Sequence, residues 1–103
     1  MKGYFLLGVV GVDSGQILLC DPCYIDSEWK RGIDFDKGKD REFSYGGCCK
    51  ATMREKSCGQ LNYQRGHAGV GVVFSSGYGD GCYQVWGRKN REGRIVEVKI
   101  VMG

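Results

Sequence analysis

Three aspartates sit in turns where the backbone can approach a ligand closely. Asp13 lies in Val12-Asp13-Ser14-Gly15-Gln16, Asp21 in Cys20-Asp21-Pro22-Cys23-Tyr24, and Asp80 in Gly77-Tyr78-Gly79-Asp80-Gly81. Asp and Gly are what turns use, so the plain reading of each is a cap or turn former. Glycine on both sides of Asp80 also lets backbone N–H groups converge into a small nest. Tyr24, Tyr78 and Tyr83 add aromatic faces, which suit a nucleotide or another small polar ligand. If the strands over 3–12 and 16–20 pair as a hairpin, the Asp13 and Asp21 turns fall at opposite ends, and Asp80 joins only one of them. The glycines favour Asp13 with Asp80. The candidate ligand-binding residues are therefore Asp13, Gly15, Gln16, Tyr78, Asp80 and Tyr83, with Asp21 left as a turn residue.

Other chemistry is sparse. Six cysteines are present, and Cys20-x-x-Cys23 has the spacing of a zinc ligand pair that Cys48-Cys49, Cys58 or Cys82 could complete. Adjacent Cys48 and Cys49 would face opposite sides of a strand, so one metal does not easily take both. The cysteines read as reduced, small hydrophobes, with no metal and no cofactor. His67, the one histidine, has no acid or serine at motif spacing, and no nucleophile elbow, Walker loop or H-E-x-x-H occurs.

One enzyme reading survives. Val10-Gly11-Val12-Asp13-Ser14-Gly15 resembles the Asp-Ser/Thr-Gly loop of retroviral-type aspartic proteases, and Val85-Trp86-Gly87-Arg88 resembles their late Gly-Arg segment. A dimer would let two copies of Asp13 share a proton. Against it, Gln16 stands where a small residue is usual, Lys89–Gly93 is charged where those enzymes have an apolar helix, and the spacing from Asp13 to Gly87 is long. The balance leans away from an enzyme.

The elements that must position these residues are strands. Residues 68–76 alternate with period two, as do 94–102, where Val96, Val98, Ile100 and Met102 are expected to face a core. With the aromatic segment 82–88, and Lys89–Gly93 as a hairpin loop, residues 68–102 predict a three-stranded antiparallel meander. Residues 3–12 predict a strand buried on both faces and hairpinned to 16–20, which Asp21-Pro22 ends. One helical turn is expected over 25–31, a charged loop over 32–42, a strand over 43–55 broken by Gly46-Gly47, and a polar loop over 56–67. The fold class is all-β: six or seven short, mainly antiparallel strands in a sandwich, roll or small barrel, with at most one short helix.

At 103 residues the chain is expected to form one domain. Its 42% apolar and 26% charged residues are ordinary for a folded soluble protein. No apolar run is long enough for a membrane helix, and no export signal is read, so a cytoplasmic location is expected. A net charge of +3 does not mark a nucleic-acid binder. Residues 26–42 are dense in both signs and read as a solvated loop. Five bases over 88–99 stand against Glu92 and Glu97 and form the one basic patch.

Val12-Asp13-Ser14-Gly15-Gln16, Asp21-Pro22, Ser76-Gly77-Tyr78-Gly79-Asp80-Gly81-Cys82-Tyr83, Val85-Trp86 and Glu92-Gly93-Arg94-Ile95-Val96 together resemble domain-of-unknown-function family 4241, small bacterial and phage proteins. The resemblance covers residues 9–25 and 68–102, and the cysteines depart from it. It implies an all-β fold and no particular reaction. It also suits proteins that bind host proteins or signalling nucleotides. The expected function is a non-catalytic module binding a small polar ligand such as a nucleotide. The alternatives are an inhibitor or adaptor of a host protein, using a strand edge and the 26–42 loop, and the dimeric protease. A homo-oligomer is left open.

Overall fold

A computed structural model describes residues 2–103. The order of elements is β1 (Phe5–Val12), β2 (Gln16–Cys20), α1 (Cys23–Ser27), α2 (Tyr45–Thr52), β3 (Cys58–Asn62), β4 (Ala68–Ser75), β5 (Gly81–Lys89) and β6 (Ile95–Val101). The strands form two three-stranded antiparallel sheets, ordered β1-β5-β6 and β2-β4-β3. The all-β class therefore holds, and neither sheet closes into a barrel. The chain divides into two compact units, one up to Gly15 together with Ser76–Gly103, the other Gln16–Ser75.

The pairing corrects the expected topology. β1 does not hairpin to β2; it pairs with β5, from Phe5 opposite Gly87 to Val12 opposite Gly81. β2 pairs with β4 instead, Gln16 opposite Ser75 through Cys20 opposite Gly71. The meander over 68–102 breaks between β4 and β5, which belong to different sheets, and only the β5–β6 hairpin survives. Each of the two expected hairpin turns is really a crossing between sheets.

In the β1-β5-β6 sheet, cross-strand partners share a face. Phe5, Val10, Val12, Val85, Val98 and Ile100 lie on one side, and Leu6, Trp86, Arg88, Glu97 and Lys99 on the other. Val12 is buried, but β1 is otherwise largely exposed, not buried on both faces as expected. Val96 and Val98, expected to face a core, are half exposed. Three strands in one layer supply no second layer to cover them.

The Gln16–Ser75 unit holds a true core of Phe43, Cys48, Ala51, Leu61, Val70 and Val73, with Leu18, Tyr24, Ile25, Trp29 and Tyr63 packed against it. Trp29 meets Phe43 edge to face at 4.9 Å between ring centres. The helical turn expected over 25–31 falls at Cys23–Ser27. The strand expected over 43–55 is replaced by helix α2. Ser44 is extended at its N-cap and its hydroxyl accepts from the Gly47 N–H at 2.9 Å. Gly46 and Gly47 are poor helix formers, yet only glycine fits: a Cβ on Gly47 would lie 2.8 Å from the Glu42 carbonyl carbon, and one on Gly46 2.7 Å from the Gly38 Cα. The polar segment 56–67, read as a loop, contains β3.

Candidate functional site

The two turns chosen from sequence do lie side by side. The Asp80 carboxylate accepts from the Gly15 N–H at 2.9 Å, and the Gly15 carbonyl accepts from Ser76 N–H at 3.0 Å. Gly15 has φ of +67°, which turns its N–H toward Asp80. Within the second turn, Ser76 Oγ and Tyr83 Oη each donate to the Gly79 carbonyl at 2.6 Å. So Asp80 and Tyr83 are engaged with the chain's own backbone, as turn-forming residues are. Asp13 is exposed, and among the described residues no hydrogen bond or ion pair holds its carboxylate. Tyr78 is 84% exposed. Gln16 belongs to the other unit, where its carboxamide accepts from Thr52 Oγ1 at 3.0 Å and donates toward Cys49 Sγ at 3.5 Å.

Asp21 also lies in the other unit. Its Oδ1 accepts from Cys23 N–H at 3.1 Å, and this hydrogen bond holds its carboxyl below the ordinary carboxylate pKa. The six cysteines are all free thiols. Cys48 and Cys49 are buried in α2 rather than on a strand, and burial first, then the neighbouring Cys49 and Cys20, pushes the Cys48 thiol up to about 12. Among the described residues no group of three or more Cys, His, Asp or Glu side chains converges as a metal site would require. Among the described residues no helix is long and apolar enough to cross a membrane. His67 stacks on Tyr63 at 4.4 Å, and Arg88 and Arg94 of the basic patch pair with Glu97 and Glu92.

A cavity of about 320 Å³ opens in the Gln16–Ser75 unit, a region for which the motifs offered no site. Three segments wall it. Glu28 and Lys30 follow α1. Lys39 to Phe43 lead into α2. Asn62, Tyr63, Gln64 and Gly66 close the third side. Backbone hydrogen bonds knit these walls: Lys30 N–H to the Phe43 carbonyl at 2.9 Å, and Asn62 N–H to the Arg41 carbonyl at 2.8 Å. Gln64 N–H donates to Glu28 Oε1 at 3.3 Å. Arg41 holds a φ of +62°, a left-handed backbone that costs a side-chain-bearing residue about 1–2 kcal/mol.

The polar lining is unevenly satisfied. Burial works against the charged form of Glu42, but hydrogen bonds from Ser44 Oγ and Lys39 N–H, together with Lys30 at 3.2 Å, outweigh it and hold its pKa below the ordinary value. Asp40 pairs with Arg54. Among the described residues, no ion pair holds the side chains of Lys39 or Arg41. Asn62 donates from Nδ2 to the Gly66 carbonyl at 3.1 Å, and that carbonyl fixes which way the amide points. Its Oδ1 is then buried, and among the described residues no donor reaches it. A buried acceptor in this state costs about 1–3 kcal/mol, so it asks for an explanation.

A model of the family described as "Protein of unknown function (DUF4241)" matches residues 2–100. The chain belongs to this family. The match takes in residues 26–67, which carry the cavity and for which the motifs showed no resemblance. No curated protein and no solved structure matches the chain. The DUF4241 description names no reaction, so function rests on the chemistry of the site.

Proposed function

We propose that this DUF4241 protein is a non-catalytic binding module whose cavity between Lys30, Arg41 and Asn62 takes a small polar ligand, a nucleotide being the class that fits. The observation that carries the reading is Asn62, which lines the cavity and whose Oδ1 is a buried acceptor with no donor among the described residues. A ligand that turns this amide toward the cavity supplies the missing hydrogen bond. Tyr63 and Phe43 offer apolar and aromatic wall for a flat base. Lys39 and Arg41 offer positive charge to a phosphate at the rim. The volume lies at the small end of the range for ligand sites, which favours one base and one phosphate over a dinucleotide. The left-handed Arg41 belongs to the same wall, as strained residues at binding sites do.

The test is a titration with AMP, with GMP, CMP and UMP as parallel probes, followed by backbone amide shifts. Support is a saturable set of shifts confined to residues 39–43 and 62–66 that Asn62→Leu abolishes. The absence of shifts with all four nucleotides at millimolar concentration refutes the nucleotide reading, and shifts elsewhere in the chain refute the site.

A further inference from the structure

β6 is an edge strand: among the described residues it pairs with β5 on one side and with no other strand. Such an edge presents a row of backbone donors and acceptors to whatever strand can match it. Its sequence is Ile95-Val96-Glu97-Val98-Lys99-Ile100-Val101. Val98 is the middle residue of the seven, and the pattern about it is nearly palindromic in shape and opposite in charge.

We infer that two copies of this chain pair antiparallel through β6, about a two-fold axis at Val98, joining two three-stranded sheets into one of six strands. Symmetry limits the registers. A two-fold axis between antiparallel edges stands perpendicular to the sheet and keeps each face on its own side, so it must pass through a residue opposed to its own copy. Centring on Glu97 sets two carboxylates opposite each other. Centring on Lys99 sets two ammonium groups opposite. Centring on Val98 places each Glu97 opposite the second copy's Lys99, within the regular stretch Glu97–Val101; the ladder to β5 is irregular between Arg88 and Lys89, so Ile95 and Val96 lie beyond that stretch.

The side chains in hand suit this register. Arg88 Nε and Tyr4 Oη both donate to Oε1 of Glu97, and among the described residues no hydrogen bond occupies its Oε2. The Lys99 ammonium lies 4.5 Å over the Tyr4 ring, and among the described residues no carboxylate forms an ion pair with it. Glu97 and Lys99 share one face of the sheet with Arg88, Leu6 and Trp86, and Val98 and Ile100 share the other, so pairing over Glu97–Lys99 keeps each face on its own side. Val98 is 51% exposed in the single chain and gains a β-branched neighbour across the axis. β1, the other edge, has no charged residue to select a register. The arrangement is closed, because the same edge serves both copies. It keeps the two Asp13 turns apart, since β1 lies two strands, about 10 Å, from β6.

Sedimentation velocity over a concentration series tests this on the whole chain. The wild type is expected to move from 11.4 kDa toward twice that mass as concentration rises. Lys99→Glu sets Glu97 against a carboxylate at both crossings and is expected to weaken the dimer roughly tenfold or more, with circular dichroism at low concentration showing that the monomer still folds. Glu97→Lys does the same with two cations, and an equal mixture of the two variants is expected to restore a 1:1 dimer. Glu97 also bonds within its own chain, so hydrogen exchange gives a second measure: the outward β6 amides of the wild type should slow with concentration, and those of Lys99→Glu should not. A wild type that stays monomeric at hundreds of micromolar overturns the inference. So does a dimer that Lys99→Glu leaves undiminished.

Discussion

Replacing Asn62 by leucine separates the cost of an unmet hydrogen bond from its use. The two side chains are close in size, so the change removes polarity with little change of volume. Oδ1 is buried with no donor among the described residues, which costs the folded state about 1–3 kcal/mol. Leucine relieves that cost. It also removes the 3.1 Å bond from Nδ2 to the Gly66 carbonyl, which contributes about 0.5–1.5 kcal/mol. Gly66 is exposed, so water takes over its carbonyl. The net expectation is a gain of about 1 kcal/mol, or a rise in Tm of roughly 4 °C for a chain of this size. Nucleotide binding should disappear in the same variant.

Thermal and urea unfolding by circular dichroism measures the first effect, and the AMP titration the second. A variant less stable than wild type by 1 kcal/mol or more would refute the reasoning, because it would mean that Oδ1 already takes part in holding the fold. A gain in stability joined to a loss of binding is the pattern of a residue kept for function at a structural cost.

Leu61 has no exposed surface in the core of its unit, so Leu61→Ala should cost about 2–5 kcal/mol in urea unfolding. Glu42 has a folded pKa below its ordinary 4.5, so the stability it contributes is complete above that value and lost as pH falls through the folded pKa. Glu42→Gln should therefore flatten the acid limb of the stability curve, read as urea midpoints from about pH 6 to about pH 3. Asp80→Ala should lower the unfolding midpoint modestly and leave AMP binding alone, because the carboxylate serves the Gly15 N–H. Gly47→Ala should destabilise despite the roughly 1 kcal/mol that alanine gains in a helix, since the new Cβ meets the Glu42 backbone, and urea unfolding decides the sign.

The strands themselves were largely legible. β1, β2, β4, β5 and β6 fall where alternation and turn residues put them, because period two survives wherever β-branched residues repeat. Even so, β4 breaks its own pattern. Val70, Gly71 and Val73 are all buried while Val72 is exposed, and the ladder to β3 is irregular between Leu61 and Asn62. A bulge moves the inward face by one residue, and alternation carries no sign of it. β3 was illegible for a different reason: only Leu61 of its five residues is buried, so there was no alternation to see. Helix α2 was hidden by its glycines, which lower helix propensity but are required by the backbone of residues 34–42 against it. Ser44 as an N-cap was the available signal, and Gly46-Gly47 argued more loudly the other way.

The same logic explains why the turns drew attention and the cavity did not. Asp13, Gly15 and Asp80 are conspicuous because turn chemistry concentrates in short strings, and a string is what a sequence displays. The β1–β2 hairpin on which their grouping rests does not exist; Gly15 and Asp80 meet instead through a hydrogen bond between two turns of the chain. The cavity walls come from residues 28–30, 39–43 and 62–66, held by parallel bridges of single residues. Glu42 pairs across one such bridge with Asn62, and no spacing in the chain connects 42 with 62. Within the charged run 26–42, read as solvated, Lys30 and Glu42 in fact meet at 3.2 Å with the Glu42 side chain almost wholly buried. A charge run looks the same whether it faces water or lines a cleft. What distinguishes the two is which charges are already neutralised by neighbours, and it is the tertiary arrangement that leaves Lys39 and Arg41 without an ion pair and the oxygen of Asn62 without a donor among the described residues.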